Sequence, residues 1–156
     1  MRTKDVLAAL CCSLLVLAAC NKKEDNNNNM SATAQTLVAG KWQLSTSTAT
    51  VNYMGQDTTA DIYSQMDDCD KDDFVLFAAN GTGTVDENAN KCADDQPVES
   101  FTWLLLNNDT KIFIADSNPD TLDVTELTNT QLVLKQIKLN TSGAPVTFIN
   151  TYKNIQ

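Results

Sequence analysis

Beyond residue 40 the chain alternates apolar and polar residues in short runs, the period-two pattern of strands buried on one face. Eight such runs are present: Lys41 to Val51, Asp73 to Ala78, Thr82 to Asp86, Ser100 to Leu106, Lys111 to Ala115, Thr121 to Leu127, Gln131 to Leu139 and Val146 to Tyr152. Between them lie turn-forming residues. Asn80-Gly81 is a hairpin dipeptide because both residues tolerate positive φ, and Asn107-Asn108-Asp109-Thr110, Thr128-Asn129-Thr130 and Asn140 to Pro145 have similar character. Short connections between so many strands predict an all-β fold, an antiparallel barrel or sandwich. One stretch breaks the pattern: Ile62 and Met66 stand four apart, with Thr58 or Thr59 as N-cap, so Thr59 to Met66 reads as a single short helix.

The same alternation assigns the core. Trp42 and Leu44 share a face, as do Val75 and Phe77, Phe101, Trp103 and Leu105, Ile112 and Ile114, and Leu132 and Leu134. Residues 74–77 and 103–106 are apolar on both faces, which predicts outside cover there, supplied by the helix at 59–66.

The first forty residues follow different rules. Arg2 and Lys4 precede an apolar run from Val6 to Ala19 interrupted only by Ser13, short of the roughly 20 residues a spanning helix needs. Asn21-Lys22-Lys23-Glu24-Asp25 ends it abruptly, so residues 1–19 read as a secretory signal peptide. Leu17-Ala18-Ala19-Cys20 resembles the lipobox of bacterial lipoproteins, which implies that Cys20 receives a diacylglyceryl group and becomes the lipid-bearing N-terminus. The membrane is then a partner through that lipid. Asn21 rather than Asp follows the cysteine, which by resemblance to sorting rules implies a lipid anchor in the outer membrane. Lys23-Glu24-Asp25 resembles a surface-export signal of some Gram-negative lineages and reads equally as a charged tether, leaving the periplasmic and the outer face both open. Asn26 to Asn29 and the small residues after them extend a flexible tether over residues 20–35, ahead of one domain at 36–156.

Removing residues 1–19 takes Arg2, Lys4 and Asp5 from the 11 basic and 20 acidic residues, leaving 9 and 19 and a net charge of −10. That balance disfavours nucleic acid. There is no His, which excludes His-based triads and His-ligated zinc. With Cys11 and Cys12 in the signal and Cys20 lipidated, Cys69 and Cys92 remain as a pair in an oxidising compartment, and a disulfide is the natural reading. The alternatives are two free thiols or a metal pair, the latter without His or further Cys to complete it.

At Gly40-Lys41-Trp42 the first strand opens on Gly-x-Trp, and Cys69-Asp70-Lys71-Asp72, Phe77 to Thr82, Cys92, Thr102-Trp103, Glu126-Leu127-Thr128 and Leu132 to Lys135 follow in order. Over residues 37–153 this series resembles the lipocalin-like domain of Gram-negative cell-envelope lipoproteins. The resemblance implies an eight-stranded, up-and-down antiparallel β-barrel with a short helix, closed at one end by Gly40 and Trp42. In lipocalins an Arg near the last strand packs over that Trp; no Arg follows Arg2 here, so Lys153 takes its place. The resemblance carries no catalytic residue and fixes no ligand.

The densest acidic cluster, Asp67 to Asp73, invites a calcium reading, but an EF-hand register begun at Asp68 puts Asp73 at the glycine position and Ala79 at the closing glutamate. It reads as a solvated loop pinned by the cysteine pair, or as a looser cation site. Asp94-Asp95, Asp86-Glu87 and Glu126 do not form an evident acid–base pair for glycoside hydrolysis. Neither enzyme, metal nor cofactor is expected. The leading expectation is a small apolar or amphipathic ligand held in the barrel mouth by Tyr63, Phe101, Trp103, Leu134 and Phe148. The other is a filled barrel that presents its loops to an envelope protein partner.

Overall fold

The computed structural model describes residues 30–93 and 96–156; the segment expected to be a signal peptide, Cys20 and the asparagine run lie outside the described residues. Helix α1 (Ala32–Ala39) leads into β1 (Lys41–Tyr53) and β2 (Gln56–Asp61). A 3-10 turn at Tyr63–Gln65 and the short helix α2 (Asp68–Lys71) follow. The chain then runs through β3 (Phe74–Phe77), β4 (Thr82–Asp86), β5 (Val98–Leu106), β6 (Lys111–Ala115), β7 (Asp120–Leu127), β8 (Gln131–Leu139) and β9 (Pro145–Asn154).

Every pairing is antiparallel. From β3 to β9 each strand pairs with the next, and β9 returns to β1 along its whole length, from Trp42 opposite Asn154 to Val51 opposite Val146. The lower part of β1 pairs with β3 at Lys41–Gln43, whereas its upper part, Thr48–Tyr53, pairs with β2. β2 and β3 thus share one flank of β1, and the wall is a closed eight-stranded barrel. A bulge between Leu44 and Thr46 lets β1 bend while keeping Trp42, Leu44, Ser47 and Ala49 on the inner face.

Turn chemistry explains the connections. Met54 and Gly55 both hold positive φ, the two-residue loop that matches the twist of a hairpin. Gly81 takes φ +82° while Asn80 instead accepts hydrogen bonds from the Thr82 amide and hydroxyl. Asn107, Asn108 and Asp109 are all left-handed, the non-glycine residues best able to be so.

Several expectations change. The tether does not extend to residue 35: Ser31 caps α1 by accepting the Ala34 amide at 3.1 Å, and Ala34 and Leu37 are buried in the core. Thr59 to Met66 is not one helix. Thr59 to Asp61 belongs to β2, where the β-branched Thr59 pairs hydroxyl to hydroxyl with Thr50 at 2.8 Å, and only Tyr63–Gln65 turns helically, started by Asp61 accepting the Ser64 amide. Outside cover of the doubly apolar strands is partial. Phe74 is capped on the outside by the Lys41 ammonium, 3.6 Å above its ring, while Leu76 and Leu104 stay exposed.

At the closed end the Trp42 indole is fully buried and donates from Nε1 to the Leu37 carbonyl at 2.8 Å. Lys153 does not cover it. It lies opposite the outward-facing Gln43 and is exposed, because β9 pairs Asn154 with Trp42; α1 supplies the cover instead. Asn154 fastens this end, accepting the Lys41 amide and donating to the Asn129 carbonyl.

Gly40 is extended, yet a Cβ there would sit 2.2 Å from the indole. Gly40→Ala should therefore lower stability by about 1–3 kcal/mol, through overpacking rather than backbone strain. Urea unfolding checks this, and an unchanged midpoint would show that the indole has room to shift.

Candidate functional site

Counting inward positions from the strand register builds the barrel interior in layers. Next to α1 the interior is filled. Phe77 packs edge-on against Phe101 and Trp103 at 5.6 and 5.5 Å, and Leu37, Ile112 and Leu132 are buried beside them. Above this floor lies a cavity of about 170 Å³. Its base is Trp42 with Phe77 and Leu132, and its walls are Val75, Val85, Phe101, Ile114, Leu122 and Leu134. Two polar groups reach it: Tyr152 from β9 and Asp116 from the loop after β6. Gly83 makes room for the Phe101 ring, which lies where a Cβ on that glycine would be 2.2 Å away.

Towards the opposite end the inner face turns polar. Ser47, itself buried, donates to Asn150 at 2.7 Å. Asp120 accepts from Gln136 and pairs with Lys138 at 3.3 Å. By register Asp120, Gln136 and Lys138 all face inward around the mouth, opposite Ile114, Phe148 and Val146. The change from apolar floor to polar rim follows from the composition of β7 and β8, whose inward residues become charged or amide-bearing beyond Leu122 and Leu134.

The five candidate ligand residues separate. Phe101 and Leu134 line the cavity. Trp103 is core instead, its Nε1 donating to the Thr82 carbonyl at 2.9 Å, because β5 carries it towards α1. Phe148 faces inward opposite Ala49, nearer the mouth, without lining the cavity. Tyr63 is outside the barrel altogether, on the 3-10 turn, with the Lys71 ammonium 6.0 Å from its ring. Trp42, assigned above to barrel closure, also forms part of the cavity floor. Tyr152 and Asp116 had a sequence signal only in part: alternation places Tyr152 on the inner face, but Asp116 sits in a loop whose direction alternation does not give.

The Tyr152 hydroxyl has no hydrogen-bonding partner among the described residues, and its depth in the barrel pushes the phenol pKa above the ordinary tyrosine value. The neutral phenol is thus the form the cavity holds.

The acidic loop is put to structural use. Cys69 and Cys92 form a disulfide with Cα atoms 5.3 Å apart, tying α2 to the loop after β4. Asp70 Oδ1 lies 3.4 Å from Cys92 Sγ, but with both sulfurs bonded to each other this trio is not a ligand set. Asp68 pairs with Lys71 at 2.9 Å, which holds its pKa below the usual aspartate value, and Asp72 accepts the Asn90 amide. Closing this loop contributes on the order of 3 kcal/mol in the chain-entropy model.

A model of the lipocalin-like domain family matches residues 38–134. No curated protein matches the chain in sequence. Among solved structures, the bovine odorant-binding protein in complex with a selenium-containing odorant is similar at 11% identity, over 81% of this chain and 75% of that one, with a TM-score of 0.44.

The Tyr152 shift has a pH consequence. The unfolded chain ionises this tyrosine near pH 10 while the folded chain still holds the proton, so stability falls as pH rises from that point towards the raised native value. Tyr152→Phe should show a shallower loss of stability above about pH 10 than the parent. Superimposable pH profiles of the two would contradict the assignment.

Proposed function

The chain belongs to the lipocalin-like domain family, and from that premise we propose a non-catalytic binding protein that holds one small apolar or amphipathic molecule inside its barrel. The observation that carries this is the largely apolar cavity of about 170 Å³ over Trp42, walled mostly by barrel strands. A buried apolar cavity of about 150 Å³ accepts benzene, whereas drug-sized ligands need about 300–1,000 Å³. The ligand is therefore small, a single ring or a short branched chain. Burial of roughly 200 Å² of ligand surface, at about 25 cal/mol per Å², supplies about 5 kcal/mol before association costs. Binding in the high micromolar range or weaker follows.

The anchor belongs to the same proposal. Diacylation of Cys20 would hold the domain at the cell envelope, in the outer membrane, with residues 21–29 as the link. The polypeptide enters the domain through α1 at the closed end, so the mouth opens away from the linker.

A second reading rests on the outer face. Ile137 and Leu139 of β8 and Ile149 of β9 are exposed there, and Ile137 and Ile149 are diagonal neighbours across the pair. An apolar patch on a sheet fits an envelope protein partner.

Native mass spectrometry of residues 30–156 purified from the periplasm distinguishes the readings. A bound small molecule, lost in Leu134→Trp because the indole fills the cavity, supports the carrier. A clean apo mass with no thermal shift across small apolar compounds turns the account to the protein-partner reading. Separately, Cys20→Ser should abolish lipid labelling and membrane retention, and retained labelling would refute the anchor.

A further inference from the structure

The cavity's polar groups set a preference that its apolar walls do not. We propose that the ligand is a small organic amine, its apolar body seated on Trp42 and its protonated nitrogen directed to the Asp116 carboxylate. This rests on the cavity-binding reading above and names the ligand class.

Asp116, exposed at the edge of the cavity, is the only charged residue lining it among the described residues. Its Oδ1 accepts the Asn118 amide at 2.7 Å, and Oδ2 has no partner among the described residues, so one acceptor oxygen is uncommitted. The other polar group on the wall, the Tyr152 hydroxyl, is unpartnered as well. An ammonium or amine nitrogen carries several donors, and these two oxygens accept.

The surrounding field has the same sign. Glu99 faces inward at the mouth by its pairing with Val85, and Asp120 by its pairing with Ile114. Glu87, two residues past the cavity-lining Val85, is 6% exposed, and its Oε2 has no hydrogen-bonding partner among the described residues. Against these, Lys138 is the one strand lysine that faces inward by register among the described residues, and Asp120 already holds it at 3.3 Å, while Lys71 pairs with Asp68 and Lys91 is exposed on the loop after β4. Lys41 covers Phe74 on the outside, Lys111 pairs with the outward-facing Asp123, and Lys135 and Lys153 face outward by register. A ligand carboxylate would thus meet Asp116 with no cation left to receive it. A neutral apolar ligand would leave both oxygens unused. A like field of carboxylates also concentrates cationic ligands at the mouth.

Three probes with one aromatic body separate the possibilities: benzylamine, benzyl alcohol and benzoate, titrated into the full chain at pH 7 and followed by calorimetry and by quenching of the cavity-floor tryptophan. The expected result is benzylamine bound at least ten-fold more tightly than benzyl alcohol, with benzoate weakest. Asp116→Asn keeps an acceptor for the Asn118 amide, so it should fold normally, and it should bring benzylamine down to the affinity of benzyl alcohol while leaving the alcohol unchanged. Tyr152→Phe should weaken both. Benzyl alcohol bound as well as benzylamine, or a preference that survives Asp116→Asn, overturns the amine class and leaves the binding reading standing. Failure of all three probes to bind overturns both.

Discussion

The seat of Trp42 is the contact on which the rest of the barrel depends. Its indole occupies the space that a side chain on Gly40 would fill, and its Nε1 reaches back to the Leu37 carbonyl. These two constraints dock α1 under the barrel and fix where β1 starts. From that start, the register of β1 against both β3 and β9 follows, because Trp42 must face inward opposite Val75 and Asn154. Loss of an aromatic side chain of this size from a core costs about 3–5 kcal/mol, a large share of the stability of a domain this small. The Arg-over-Trp contact of lipocalins has no counterpart from Lys153, and the helix and Asn154 close the end in its stead.

With one end filled, the interior is graded rather than uniform. Large side chains pack the floor edge to face, medium aliphatics leave a void above it, and hydrogen-bonded polar residues ring the mouth. The gradient separates two tasks within one barrel. The floor and the closing pairs of β1 and β9 carry stability, whereas the middle layer leaves volume unfilled at some cost in packing. A cavity lined mainly by Val, Ile and Leu, with two Phe and the Trp42 floor, is the kind of space that favours an apolar guest.

Much of this was legible in the sequence, and the misses have physical causes. All eight expected strands have the bounds that alternation and turn residues give within two residues at each end, and the inward faces at Val75 and Phe77, Ile112 and Ile114, and Leu132 and Leu134 match the core. β2 was hidden because Gln56 to Asp61 carries no apolar residue larger than alanine; its pairing rests on threonine hydroxyls and an Asn52–Asp57 hydrogen bond at an exposed hairpin. The same stretch was misread as helix because the four-residue spacing of Ile62 and Met66 mimics one helical turn. Ala32 to Gln35 read as tether because the helix they begin presents just Ala34 and Leu37 to the core, too few for a periodic signal. Of the site, Phe101 and Leu134 were recoverable from alternation. Tyr63 was not excluded by sequence, since its place outside depends on the unforeseen β2, and Asp116 owes its position to a loop.

The central claim is that the barrel is hollow over Trp42 and takes a small apolar guest there. Crystals of the domain held under xenon test it most directly, since a dry cavity of this size admits the gas. The account predicts one strong xenon site between Trp42, Phe101 and Leu134, with those side chains unmoved. An empty map, with the same side chains drawn together to fill the space, would contradict it.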